Sequence, residues 1–372
     1  MARNPIRILI VDDSRIFRGI LESALAKLPD AAVVGSVFNG EKAIEFLRQD
    51  PVDLVTLDIE MPGVNGLETL KAIRELNRSR PHAVQTESVL ISSLTKQGAK
   101  STVEGLQLGA IDFILKPSGG SETENMAALQ KEMLSKLQLF RIKYATPALP
   151  GAGQMETLPK QVTQMTSAVD SRTKPLSSGY KAIAIGISTG GPETLVKMLP
   201  DIVGKTKAPI FIVQHNLNGL SGYMAESLTR CVGQSVSEAR ENMPIVPGGV
   251  YMAQSGSHMI LRQPGGNISI GLSDAPPENH SRPAVDVFLR SATAVYGPSL
   301  VAVIMTGMLD DGAKGVRVVK RAGGFVIAQD QATSVIWGMP RAAIETGCVD
   351  LVLPLNKIAP TLLELVKGVR DS

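Results

Sequence analysis

Cysteine is nearly missing: the 372 residues include two, Cys231 and Cys348, and no C-x-x-C pair. Neither a disulfide framework nor a zinc cluster can be built from them, so both are expected as small buried apolar side chains in a reducing cytoplasm. An excess of one charge is also lacking. Lys plus Arg is 38 and Asp plus Glu is 35, a net of +3; with no basic run or patch, a nucleic-acid partner is not expected. Long hydrophobic runs do not occur at the start either. The opening apolar stretch, Ile6 to Val11, gives way to Asp12-Asp13, which is too short for a secretion signal or a membrane span. A cytoplasmic protein without membrane insertion is the expectation.

What is present suits a soluble globular chain, with 44% hydrophobic and 20% charged residues. Single cores stop growing near ~250 to 300 residues, so two domains are expected. From Ile6 to about Tyr144, short apolar runs alternate with helix-period segments. Ile6 to Val11, Ala32 to Ser36, Leu54 to Leu57, Val89 to Ile91 and Ile111 to Leu115 read as strands, and that alternation predicts a parallel sheet covered on both faces. Between Arg141 and Ser178 the pattern dissolves into Pro, Gly, Ser and Thr, the composition of a linker. Strand-like runs resume at Ala182 to Ile187, Ile210 to Val213, Val250 to Met252, Met259 to Leu261, Asn267 to Leu272, Leu300 to Met305, Gly324 to Ala328 and Val349 to Leu353. The fold class is therefore α/β throughout, with a hairpin expected around Gln263-Pro-Gly-Gly. The expected division is 1–140, linker 141–178 and 179–372.

In an open parallel sheet the functional crevice lies beyond the carboxyl ends of the strands. In the first domain those ends carry Asp12 and Asp13, then Asp58, then Ser92 and Ser93, then Lys116 before Pro117. Converging carboxylates repel unless a hard cation takes oxygen ligands, and Mg²⁺ with retained waters fits. Lys116 offers a compact cation, and Ser92 a hydroxyl that can donate to a phosphoryl oxygen. Together they describe phosphoryl transfer to a carboxylate, against the bland alternative of solvated acidic turns. The segment resembles the receiver domain of two-component response regulators through L-I-V-D-D-S, L-V-T-L-D-I-E-M-P-G-V-N-G, V-L-I-S-S-L and D-F-I-L-K-P. The resemblance implies Asp58 as phospho-acceptor, Asp12, Asp13 and Asp58 around the metal, Ser92 as switch hydroxyl, Phe113 as the aromatic that moves with it, and Lys116 as phosphate-side cation.

In the second domain the strand Ala182 to Ile187 runs into Ser188-Thr189-Gly190-Gly191-Pro192 and then a helix. Pro near a helix start and glycines in a sharp turn fit a strand-to-helix elbow, which would raise the Ser188 hydroxyl beside backbone N–H groups. A dinucleotide turn is disfavoured because G-x-G-x-x-G needs Gly where Ser188 stands; a structural turn with an ordinary serine remains the competing reading. A serine nucleophile needs a base, and there are four histidines: His82, His215, His258 and His280. His82 belongs to the first domain, His258 reads as solvated or satisfied within small strands, and His280 as a loop residue able to contact substrate. His215 directly follows Ile210-Phe-Ile-Val-Gln, on the same rim as Ser188, and is the best base. Asp310-Asp311-Gly312, past Leu300 to Met305, supplies the acid that would hold the imidazole.

From Tyr180 onward the text resembles the catalytic domain of the CheB family, the chemotaxis protein-glutamate methylesterases. A-I-G-I-S-T-G-G-P-E, F-I-V-Q-H, S-R-P-A-V-D-V-F-L-R-S-A, M-T-G-M-L-D-D-G-A-K-G and A-Q-D carry it, and receiver plus linker plus esterase is the family's architecture. The resemblance implies Ser188 as nucleophile, His215 as base and acid, Asp311 as orienting carboxylate, and Thr189 and Met308 at the oxyanion hole. It further implies hydrolysis of glutamate methyl esters on chemoreceptors, deamidation of receptor glutamine by the same triad, no metal for that chemistry, a chemotaxis-type histidine kinase as phosphodonor, and masking of the esterase until Asp58 is phosphorylated. Two departures stand out. Leu309 replaces the usual Gly, which would strain the loop if φ is positive there, and Asn216 replaces the Met that commonly follows the histidine. They keep open a regulator that acts by phosphorylation-dependent partner binding instead of catalysis.

Overall fold

In a computed structural model of the chain, the residues described are 4–81, 85–93, 95–117, 119, 121–145, 179–215 and 219–367. His82, Asn216 and the linker stretch 146–178 lie outside them. The chain divides into two compact units, Met1–Pro147 and Ala148–Ser372.

The first unit alternates β1 (Ile6–Val11), α1 (Arg15–Leu25), β2 (Ala31–Val37), α2 (Gly40–Gln49), β3 (Leu54–Asp58), α3 (Gly66–Arg78), β4 (Glu87–Ser92), α4 (Lys96–Gln107), β5 (Asp112–Leu115) and α5 (Glu122–Ala145). Its sheet is parallel, in the order β2-β1-β3-β4-β5. β3 and β4 are buried along their whole length, which is why they read as continuous apolar runs and not as alternation. Local chemistry sets the helix starts. Asn65 caps α3 in a reciprocal box with Glu68, and Ser14 accepts the Phe17 N–H at the head of α1.

The second unit holds a seven-stranded parallel sheet and a three-stranded antiparallel one. The large sheet contains β6 (Ala182–Ile187), β7 (Ile210–Gln214), β8 (Val236–Glu238), β10 (Val250–Met252), β13 (Leu300–Ile304), β14 (Phe325–Gln329) and β15 (Leu351–Leu353), ordered β15-β14-β13-β6-β7-β10-β8. The small one joins β9 (Met243–Pro244), β11 (His258–Arg262) and β12 (Ser269–Ser273); β11 and β12 form the expected hairpin. The helices are α6 (Gly191–Met198), α7 (Ser221–Val232), α8 (Val285–Tyr296), α9 (Ala313–Arg321), α10 (Met339–Glu345) and α11 (Leu355–Leu365). Phe211 anchors the core, stacked on Tyr251 at 5.5 Å and tilted against Phe288 at 5.4 Å. The order reverses at β6: the chain first builds outward through β7 and returns on the other side with β13. β1 and β3 make the same reversal in the first unit, so each sheet has a crevice at a switch point.

The cysteines are a correction. Cys231 is exposed and Cys348 only partly buried; Cys231 shares the face of Met224 and Leu228 but sits in the last turn of α7, beyond the last buried residue of that stripe. Among the described residues no helix is long and apolar enough to cross a membrane.

Candidate functional site

At the reversal in the first unit, β1 delivers Asp12 and Asp13 and β3 ends on Asp58. Asp12 and Asp58 are buried while Asp13 is exposed. One oxygen from each of the three lies within 4.8 Å of the others, a cluster of hard oxygen donors open on one side. Lys116, just past β5, places its Nζ 2.8 Å from Asp58 Oδ2 and 2.9 Å from Asp12 Oδ2, and 4.9 Å from the centre of the Phe17 ring. Burial, seconded by the Asp12 charge, outweighs the Lys116 bond and pushes Asp58 up to about 6. Lys116 itself is held above its ordinary value: burial opposes this, but the two carboxylates outweigh it. Ser92 is turned toward α4. It accepts from Thr102 Oγ1 at 2.6 Å and lies 3.4 Å from the Gly98 carbonyl. Phe113 is already inside, 4% exposed.

At the reversal in the second unit, the ends of β6, β7 and β13 carry Ser188, His215 and the loop to Asp311. All three side chains are buried. His215 Nε2 lies 2.7 Å from Asp311 Oδ2, which leaves Nδ1 as the nitrogen free to serve a nucleophile. Of the acidic pair, Asp310 is exposed and Asp311 is 1% exposed, so the geometry selects Asp311. Asp311 also accepts the N–H groups of Val285, Asp286 and Gly312 and the amide of Asn279. Burial would raise it, yet the His215 bond and charge and the backbone N–H groups outweigh burial and hold it below the usual carboxylate range.

Backbone bonds to a neighbouring strand end hold both Ser188 and His215. His215 N–H donates to Ile187 at 3.1 Å and Ser188 N–H to Thr306 at 2.9 Å. Gln214, at the end of β7, donates its amide to the carbonyls of both Ser188 and His215 at 2.9 Å. Its Oε1 occupies the space a side chain would take at Gly191: a Cβ there would overlap it, so the elbow needs glycine for close approach. Ser188 Oγ makes no hydrogen bond with the imidazole in this arrangement; such bonds commonly tighten only when substrate is present. Gly307 packs so closely that a Cβ on it would come 2.8 Å from Ser188 Cβ. The next N–H, that of Met308, and the N–H of Thr189 are both uncommitted among the described residues. Leu309 follows at φ 65 and 52% exposed, the strained conformation its replacement of Gly implied.

The remaining histidines sort by geometry. His258 is fully buried; its Nδ1 accepts the Ala284 N–H and its Nε2 lies 3.1 Å from the Pro276 carbonyl, so it is satisfied structurally. His280 is exposed. Sequence reasoning missed Gln214, Asn279 and Asp286. The only signal for them was position: Gln214 ends a strand beside His215, and Asp286 lies inside the S-R-P-A-V-D run.

Fold and sites define the class: a receiver of the response-regulator type joined to an α/β unit with a hydrolase's Ser, His and Asp on one rim. The chain matches the family model for the response regulator receiver domain over residues 8–128 and that for CheB methylesterase over 183–362. A protein-glutamate methylesterase/protein-glutamine glutaminase of Nocardioides sp. is 37% identical over 99% of this chain and 97% of its own. The protein of the same name from Pyrococcus abyssi is 39% identical over 98% and 95%. The crystal structure of the Thermotoga maritima CheB methylesterase catalytic domain is 41% identical, covers 50% of this chain and 99% of that one, and has a TM-score of 0.49. The chain belongs to the CheB methylesterase family, receiver and esterase together.

Proposed function

We propose that this protein is a phosphorylation-activated protein-glutamate methylesterase that removes methyl groups from glutamate esters of chemoreceptors and deamidates receptor glutamine. Near-full-length relatives of that name support the activity, and the single observation that carries the site is the 2.7 Å pair of His215 and Asp311 on the rim bearing Ser188. Ser188 Oγ attacks the ester carbonyl as its proton passes to His215 Nδ1. Asp311 stabilises the resulting imidazolium. The free N–H groups of Thr189 and Met308 receive the oxyanion. Collapse returns the proton to the leaving methanol, or to ammonia from glutamine, and water then releases the acyl group as a carboxylate. No metal is assigned to this step.

In the receiver, taken as 1–140 with linker 141–178 and esterase 179–372, Asp58 is the proposed phospho-acceptor for a chemotaxis-type histidine kinase. Asp12, Asp13 and Asp58 would hold Mg²⁺, which when bound neutralises charge on the incoming phosphoryl group; their clustered oxygens suit it. Lys116 pairs with the anion, Ser92 leaves α4 to meet it, and the change at Ser92 and Phe113 shifts the esterase from masked to open. The test is methanol release from methylated receptor membranes with full-length protein, with and without a small phosphodonor. Stimulated release is expected. No release under either condition would remove the esterase reading.

A further inference from the structure

One buried carboxylate in the second unit has no part in the reaction above. Asp286, at the head of α8, is 0% exposed, and among the described residues no Lys, Arg or His bonds it. Its Oδ1 accepts the Gly315 N–H at 2.6 Å and its Oδ2 the Asn279 amide at 2.8 Å. The same Asn279 nitrogen reaches Asp311 Oδ1 at 2.8 Å. One amide thus spans two buried carboxylates, and with both N–H bonds used it cannot flip. Its oxygen faces Lys314 Nζ at 3.4 Å. A buried charge without a cation is a poor source of stability, since an apolar group of the same size would avoid the desolvation cost. Its position points to orientation instead.

The loop that presents Asn279 is built at some expense. Glu278 and Ser281 exchange backbone hydrogen bonds at 3.1 and 2.9 Å, and the two residues between them, Asn279 and His280, sit at φ 50 and 62. That is the pattern of a type I′ turn, in which Asn is a favoured residue. Left-handed non-glycine residues persist only when their surroundings fix them. His258 fixes this loop through Pro276 and Ala284. Arg290 grips Glu278 with two bonds of 2.8 and 2.6 Å.

Resting on the esterase reading, we propose that Asn279 and Asp286 are positioning residues of the reaction: Asp286 orients Asn279, and Asn279 fixes the Asp311 carboxylate in the register His215 requires. Among the described residues that donate to Asp311, His215 apart, three offer backbone groups and Asn279 alone a side chain. It is therefore the one of these donors that a substitution can remove, shifting the carboxylate within the frame that the backbone groups leave.

The test uses full-length protein, a serine-directed phosphonate read by the mass of the Ser188 adduct, and methanol release read as kcat and KM. Asn279→Ala and Asp286→Asn should each slow labelling and kcat roughly 10- to 100-fold, the scale of a misplaced catalytic group, with KM changed less than about twofold. Because the effect is routed through Asp311, Asn279→Ala should add almost nothing in an Asp311→Ala background, whereas independent losses would multiply. Ser257→Ala removes only a bond to Asp274, outside the Asn279, Asp286 and Asp311 set, and should keep its rates. Multiplicative losses in the double variant, an unchanged labelling rate in both single variants, or an equal loss in Ser257→Ala would each overturn the proposal. Failure of the phosphonate to label wild-type Ser188 would instead strike the esterase reading, and the inference with it.

Discussion

Asp58 and Asp311 occupy comparable places in two unrelated sheets, one ending a strand and the other in the loop beyond one, both where strand order reverses, and each nearly out of reach of solvent. Their surroundings diverge. Asp58 shares one lysine with Asp12 and accepts only a long 3.3 Å bond from the Glu60 N–H, and it is raised to about 6. Asp311 is saturated with donors and lowered. The first carboxylate is left short of positive charge, the condition of a site that must accept an incoming group and change state. The second is held fixed, the condition of a site that must present one geometry at every turnover. The same scaffold position therefore serves opposite ends according to how completely its hydrogen bonds are satisfied.

The contrast is broken most severely by Ser188→Ala, which removes the group that the saturated site exists to activate. Methanol release should fall on the order of 10⁴- to 10⁶-fold, while phosphorylation of Asp58, read with a radiolabelled small phosphodonor, should proceed at its normal rate. Asp311→Asn comes next, with a loss of roughly 10²- to 10⁴-fold. Asp310→Asn should have little effect, and the reverse ranking would transfer the role to Asp310. A smaller effect sharpens the receiver half. The native state holds a proton on Asp58 up to about pH 6, against an ordinary 3.8. Stability from that proton is thus complete below about pH 4 and lost as pH rises through 6. Without metal, Asp58→Asn should raise the receiver's stability to denaturant at pH 7.5 by about 1 to 3 kcal/mol, and the gain should shrink as pH falls toward 4. A gain that grows on acidification would contradict the raised carboxylate. The smallest effect belongs to Leu309→Gly, which should stabilise the second unit by about 1 kcal/mol in the same measurement by relieving the positive φ.

The central strands of the two parallel sheets were legible in the sequence because they are buried and read as nearly unbroken apolar runs. β8 and β9 were not, since Val236–Glu238 and Met243–Pro244 are too short and too polar to show a period. The residues of the two rims were legible for a related reason: Asp12, Asp58, Ser188 and His215 directly follow or end a strand, where chemistry is expected. Asn279 and Asp286 escaped because a turn tip and a helix start reveal nothing of what they face across the fold. The exposure of Cys231 escaped because composition gives a residue's tendency and not its place on a helix.

Gln214 and Gly191 carry a consequence for how this chain can change over time. The glutamine oxygen fills the room a side chain would need at 191, and the glutamine nitrogen ties together the two strand ends. A lineage that gains a side chain at 191 must first shorten 214, and shortening 214 releases the tie. The two positions are therefore coupled: a shorter 214 makes room at 191, and a side chain at 191 displaces the Gln214 amide. Libraries that vary one position at a time should therefore record both as intolerant, while a library varying them jointly could recover pairs that neither scan would find.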